Sequence, residues 1–349
     1  THFANVARDG YRSEAKPPLS VAFFPGHPLA ARAVTWATGW PVTASLLVAA
    51  NVALVAALAL LSAYLRTRAA TDPPGARATT LLLFGLWPAG FFFRMGYSES
   101  LLAALVALVM LGTARRWPAW VLAAAAGAAT GVRAVGVAAS AAVFVHVLLD
   151  PTRGPIGRRV LTAVAVAPLA GWGQLAFAAY QYAEFGTPFA VADAHRHWFH
   201  YTPEPGDLGP KWVRLLLAEP IWNAYVPDSP RYWADIDQHG NPFLGLAFWN
   251  PLLFVGAAVA VGGGWYRRHL TAPEGVLGLG LLLVPYLSRA DEMSMVSHAR
   301  FAAVVLPAHV ILGRALAGAR GAVRWGTFAA MATLLALWTA LFALAWPLF

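Results

Sequence analysis

The chain has 349 residues, 59% of them hydrophobic and only 12% charged, with a mean hydropathy of +0.57. Against the roughly 25% charged residues of an average soluble domain, this is the profile of an all-α polytopic membrane protein. The net charge of +9 comes from 23 Arg and two Lys (Lys16 and Lys211) that form no solvated basic run with interleaved aromatics, which argues against nucleic acid as a partner. With no Cys, disulfides and thiolate metal sites are excluded.

In chain order, residues 1–11 ("THFANVARDGY") read as a short amphipathic helix. Phe3, Val6, Ala7 and Tyr11 recur at helical spacing, and His2, Asn5, Arg8, Asp9 and Arg12 take the other face. Such a helix is expected to lie in the membrane interface. "SVAFFPGHPLAAR" (20–32) follows, where Pro25-Gly26-His27-Pro28 predicts a rigid turn beside an aromatic anchor, Phe23-Phe24.

Ten apolar windows then predict membrane spans at about 42–65, 79–95, 99–114, 117–131, 134–149, 160–183, 244–264, 275–288, 300–317 and 325–346, the pair 117–131 and 134–149 being open to a reading as one broken helix. Breaks fall at "RTRAATDPPGAR" (66–77), "DPTRGPIGRR" (150–159) and similar runs of Pro, Gly and charge. Threading ten spans alternately gives one set of short loops with thirteen Arg and three acids. The other set holds twelve basic residues and thirteen acids. By the positive-inside rule the first set is cytoplasmic and the two long stretches face outward. Four regions result: a first outer loop (1–41), an N-terminal transmembrane bundle (42–183), a long outer loop (184–243) and C-terminal transmembrane helices (244–349). An outward-facing start implies an earlier span or signal, so at least one helix is expected ahead of Thr1.

Chemistry-bearing residues gather on the outer side. "RMGYSESLLAAL" (94–105) places Arg94, Tyr97, Ser98 and Glu99 at the mouth of a helix. Ser98 can cap that helix and Glu99 suits its first turn, whereas Arg94 at the edge of hydrocarbon calls for a partner or a ligand. Arg133 in "GAATGVRAVGVAAS" (127–140) lies between apolar runs, either snorkelling from a helix end or holding an anion such as a lipid phosphate. "DAHRHWFHYTPEPGD" (193–207) carries His195, His197 and His200 at a spacing that suits a metal, hydroxyl recognition or plain interfacial packing. "SRADEMSMVSHARF" (288–301) clusters both signs of charge and ends in Arg300, placed to meet an interfacial phosphate.

Together, "GY" after an amphipathic segment, "AFFPGHP", "YSESL" and "RAVG" (133–136) resemble the PIG-V type mannosyltransferases, which add the second mannose to glycosylphosphatidylinositol anchors, and their bacterial relatives. The motifs cover the first ~150 residues, the rest matching only in topology. Ala-rich, Arg-over-Lys usage suits a high-GC bacterial genome, and with the charge-derived orientation the expected location is a bacterial inner (plasma) membrane with the active site facing the periplasm or exterior. The resemblance implies a GT-C multi-helix bundle that takes a sugar from a polyprenyl-phosphate donor and gives it to a glycan, lipid or protein acceptor. It also implies a catalytic acid just ahead of Thr1, with Asp9 as the fallback and Glu99 as a second carboxylate. His2, His27, Arg94, Tyr97, Arg133, His195, His197 and Arg300 become candidate substrate-binding residues. Arginines can neutralise the departing lipid phosphate in place of a metal, so no cofactor is expected. Alternatives are a GT-C enzyme with another sugar donor, and a transporter or flippase of lipid-linked sugars. Charges gathered on one face, without an internal repeat, favour the enzyme.

Overall fold

The computed structural model describes residues 2–11, 19–198, 208–237 and 240–346. Every regular element among them is helical. The helices are α1 (His2–Asp9), α2 (Gly26–Thr38), α3 (Val42–Thr67), α4 (Ala76–Gly85), α5 (Glu99–Ala114), α6 (Ala119–Val132), α7 (Val137–Leu149), α8 (Ile156–Ala170) and α9 (Trp172–Phe185). They continue with α10 (Ala190–Trp198), α11 (Leu208–Leu216), α12 (Glu219–Trp222), α13 (Trp233–Asp237), α14 (Trp249–Tyr266), α15 (Ala272–Arg289), α16 (His298–Ala303), α17 (Leu306–Ala317) and α18 (Gly321–Ala343).

Each predicted window contains a helix, but among the described residues only α3 and α18 are long and apolar enough by themselves to cross a bilayer. At 26 and 23 residues and 1.5 Å per residue, both exceed a hydrocarbon core of about 30 Å. A third span is available if α8 and α9, bent by 47° at Gly171, act as one. The count of ten is therefore coarser in the structure: two clear spans, up to three, and several shorter apolar helices. The reason is local. Window 79–95 stops being α-helical at Gly85, with Pro88 opening a 3₁₀ turn to Phe93, and window 300–317 breaks between α16 and α17. Windows 117–131 and 134–149 are two separate helices, because Arg133 between them is fully extended (φ −158°, ψ 150°).

The described chain divides into two compact units, each assembled from separated stretches: 1–70, 92–200 and 271–280 in the first, 71–91, 201–270 and 281–349 in the second. In the first, α3 packs along α5 and α2, while α6 packs against α5, α7, α8 and α9. Glycines make the α6 contacts possible: a Cβ on Gly131 would lie 3.2 Å from the Gly173 Cα, and one on Gly127 would lie 2.2 Å from the Leu169 carbonyl. Small residues four apart on one face let two backbones approach, as in membrane helix pairs generally. At the far end of α3 the buried Tyr64 hydroxyl donates to Glu274, whose other oxygen accepts from the Thr271 N–H at 2.7 Å and so caps α15. In the second unit α17 packs against α4 and α14, with Gly313 lying directly against Thr80.

Candidate active site

The N-terminal segment of the first unit is built around α1. Its Phe3 and Ala7 pack on Ala31 and Leu46, and its Val6, with Tyr11, packs on Val21, Phe24, Phe177, Ala190 and Ala194. The amphipathic pattern is thus present as expected, yet its apolar face is covered by protein from α2, α3, α9 and α10 rather than laid on headgroups. Gly10, at φ +74°, ends the helix in the left-handed region that glycine enters freely, and its N–H donates to the Val6 carbonyl at 3.0 Å. That turn sends Tyr11 back into the core, where its hydroxyl donates to the Phe23 carbonyl at 2.6 Å. Arg32 of α2 donates from Nε to the Ala7 carbonyl at 2.9 Å, satisfying an otherwise open helix end.

"PGHP" does not make the expected helix-free turn. Helix α2 starts at Gly26 and carries Pro28 in its first turn, where a missing N–H costs no helical hydrogen bond. Gly26 is needed for proximity: a Cβ there would stand 2.8 Å from a Val132 side-chain carbon and 2.9 Å from the Gly131 carbonyl. The start of α2 is therefore pressed against the end of α6, one residue ahead of Arg133.

Aromatic rings then define a shelf. Phe3 meets Phe23, His27 and Tyr97 edge-on at centroid distances of 5.2, 5.6 and 6.0 Å, and His2 stacks on Phe23 at 4.8 Å and 9°. His27 is fully buried, and neither ring nitrogen has a hydrogen-bond partner of normal geometry. Burial pulls its pKa down to about 4, against the opposing pull of the nearby Glu99 carboxylate and the Gly96 backbone. The imidazole is consequently neutral at physiological pH.

Glu99 opens α5 and is only 1% exposed. The helix N-terminus suits its charge, but it is more than a first-turn residue: its Oε1 accepts from Arg133 Nη1 across 34 residues. Ser98, expected to cap α5, makes no side-chain cap hydrogen bond. Ser100 instead turns its hydroxyl back to the Phe93 carbonyl and closes the loop before the helix. Arg133 is held where α6 ends. After its extended backbone a 3₁₀ turn, Ala134–Gly136, starts the return into α7, and Gly136 lies so close to the last turn of α6 that a Cβ would sit 2.2 Å from the Ala129 carbonyl. "RAVG" is therefore a tight elbow that aims Arg133 at Glu99, making this arginine the partner of a buried acid.

The other candidates are placed as follows. Asp9 is exposed and pairs with its neighbour Arg8 at 3.0 Å, on the same face of α1 as His2 two turns earlier. Arg94 is exposed, and its carbonyl accepts from Asn51 at 3.1 Å. His195 is half-buried on α10, next to Ala194 in the cluster that also buries Val6 and Tyr11. The side chain of His197 and all of His200 lie outside the described residues. No group of three or more His, Asp or Glu among the described residues is arranged to hold a metal ion. Arg300 belongs to the second unit, half-buried on α16. Asp291 takes a bidentate hydrogen bond from Arg214 at 2.9 and 2.7 Å and another from Arg231 at 2.9 Å, while Glu292 pairs with Lys211.

The structure thus brings His2, His27, Tyr97, Glu99 and Arg133 together and leaves Asp9 at the solvent edge of the same segment. Phe3 and Phe23, which join these residues, are missed as site elements when only polar types are sought. Their signal was the alternation of aromatic and imidazole side chains in "HF" and "FFPGH".

Over 265 residues the chain is 28% identical to GPI alpha-1,6-mannosyltransferase 2 of Rattus norvegicus, an alignment covering 66% of this chain and 49% of that protein. The chain therefore spans about half the length of the curated relative it matches. No family model matches it, and no solved structure does either. Apolar helices long enough to cross a bilayer and this similarity together support an integral membrane protein distantly related to a mannosyltransferase.

Proposed function

We propose that the chain carries the outer-face active site of an integral-membrane glycosyltransferase, one that transfers mannose from a polyprenyl-phosphate donor to a lipid, glycan or protein acceptor. In a bacterial cell it would sit in the inner membrane with this site toward the periplasm. The observation that carries the reading is the buried Glu99–Arg133 pair set against an aromatic and imidazole shelf. The similarity to a mannosyltransferase gives the reaction class.

In an inverting transfer the acceptor oxygen attacks the anomeric carbon, the bond from that carbon to the phosphate oxygen breaks, and the phosphate leaves with the electron pair while a carboxylate takes the hydroxyl proton. Arg133 is the cation for the departing phosphate. Glu99 orients it, since a guanidinium held by one acid keeps its remaining N–H groups aimed in fixed directions. Being occupied in this way, Glu99 is a positioning residue rather than the base. Asp9 is the candidate carboxylate with access to solvent, about 10 Å along α1 from His2 by helical rise. His2, Phe23 and Tyr97 supply ring faces and edges on which a sugar packs, and the buried, neutral His27 backs them from beneath Phe3.

The test uses membranes containing the full-length protein and polyprenyl-phosphate donors with labelled sugars. Label from the mannosyl donor is expected in an acceptor, with loss of transfer in Arg133→Gln. If a panel of donors gives no transfer while proteoliposomes move the lipid-linked sugar across the bilayer, the protein is a transporter and this reading falls.

A further inference from the structure

Helix α11 is built with its faces reversed relative to a helix on a soluble protein. Its cations turn inward: Lys211 pairs with Glu292, and Arg214 binds Asp291 through two hydrogen bonds. Its apolar residues turn outward, with Leu216 82% exposed, Val213 56% and Trp212 48%, followed by Leu217 at 66%. Among its described side chains Leu215 alone is buried on the inner side. In water this arrangement leaves a contiguous apolar strip uncovered and withdraws the charges that would solvate it. Beside hydrocarbon the same arrangement is the stable one.

We propose that α11 lies in the outer-leaflet interface, its Trp212–Leu216 face against lipid and its cationic face against the protein. The inference rests on the membrane reading of the chain. Continuity selects lipid over another occupant. The Leu215 carbonyl accepts from the Tyr286 hydroxyl at 2.8 Å, so α11 is docked on the outer part of α15, whose own Leu283 and Leu287 are exposed. Trp212 and the nearby, half-exposed Trp222 are the residue type enriched at headgroup level. Charge agrees: Lys211, Arg214 and Arg231 are met by Asp291 and Glu292 on the protein side, so the lipid-facing side carries no charge that would have to enter hydrocarbon. The depth expected for an interfacial helix is about 5–10 Å. This places residues 208–217 of the long outer loop in a membrane-bound belt.

The chain contains no cysteine, which permits site-specific labelling without background from these residues. Leu216→Cys and, as a reference on the clear span α3, Val55→Cys are each labelled with a nitroxide in the full-length protein, reconstituted in phosphatidylcholine–phosphatidylglycerol vesicles. Relaxation by oxygen is compared with relaxation by a water-soluble nickel complex. The expected result is a Leu216 label relaxed more by oxygen than by nickel, at a shallower depth than the Val55 label. A Leu216 label relaxed mainly by nickel, or shielded from both reagents by a protein partner or second copy, overturns the proposal while an oxygen-accessible Val55 label leaves the membrane reading standing. A Val55 label relaxed mainly by nickel overturns the membrane reading itself.

Discussion

Replacing Arg133 by Gln tests the centre of the proposed site. The substitution leaves Glu99, 1% exposed, without its guanidinium. Breaking a buried pair in this way costs about 3–5 kcal/mol, since a carboxylate stays out of water with its charge uncompensated. Glu99→Gln is milder, at about 1–3 kcal/mol, because the Arg133 side chain is 19% exposed and recovers part of its hydration. The double variant removes both charges and so avoids the orphaned carboxylate. Its destabilisation should fall short of the sum of the singles by about 0.5–3 kcal/mol. Unfolding of detergent-solubilised protein, followed through its 15 tryptophans, gives the three values. Transfer should respond differently: Arg133→Gln and the double variant both lose on the order of 10²–10³ in rate, the cost of removing a donor aimed at developing charge. Additive stabilities would show that the two residues are not coupled. A double variant that regains transfer along with stability would refute Arg133 as the phosphate cation.

Gly26→Ala should destabilise by about 1–3 kcal/mol through overpacking, since its Cβ meets Val132 and the Gly131 carbonyl, and Gly136→Ala should cost more; Gly157→Ala, where a Cβ meets nothing within 4 Å, is the control expected to be near neutral in the same unfolding assay. His27, with a folded pKa of about 4, stays neutral in the folded protein while its unfolded form takes up a proton below about 6.5. The unfolded state therefore binds more protons between these values, and stability falls as pH drops through that window. Melting at pH 7.5 and pH 5 should show a gap that narrows in His27→Gln, and an unchanged gap would show that His27 is not so buried. Burial raises the pKa of Asp291, but hydrogen bonds from Arg214 and Arg231 outweigh it and leave the carboxyl below its ordinary range. Its contribution is present at neutral pH and lost as pH falls through that depressed value. Asp291→Ala should accordingly speed limited proteolysis within 208–217 at pH 7, with little difference from the parent once the solution is acidified past that point.

Much of the architecture was legible because hydrophobic periodicity and length are written into the chain. The apolar windows anticipated where helices form, and the spacing of Phe3, Val6, Ala7 and Tyr11 anticipated the buried face of α1. What covers that face was not legible, since lipid and protein are equally apolar and only the packing of Ala31, Leu46 and Phe177 distinguishes them. The span count is coarser in the structure than in the sequence for a related reason. A window average does not register that Gly85, Pro88 or an extended Arg133 interrupts a helix, because those breaks are backbone events confined to one or two residues.

The candidate site shows the same division. Composition and motif order pointed to Glu99, Arg133, His27 and Tyr97 as separate features, each with a local explanation such as a cap, a snorkel or an anchor. Local sequence carries no information about contacts 34 residues apart. The elbow at Gly136 and the close approach of Gly26 to Val132 decided that Glu99 faces Arg133 and that His27 is buried beside them. By itself the sequence determined a membrane-embedded, all-helical chain with its polar chemistry in a few short motifs, because burial in lipid constrains composition residue by residue. Which of those motifs meet was decided only by tertiary packing, through glycines whose missing side chains let the helix ends touch.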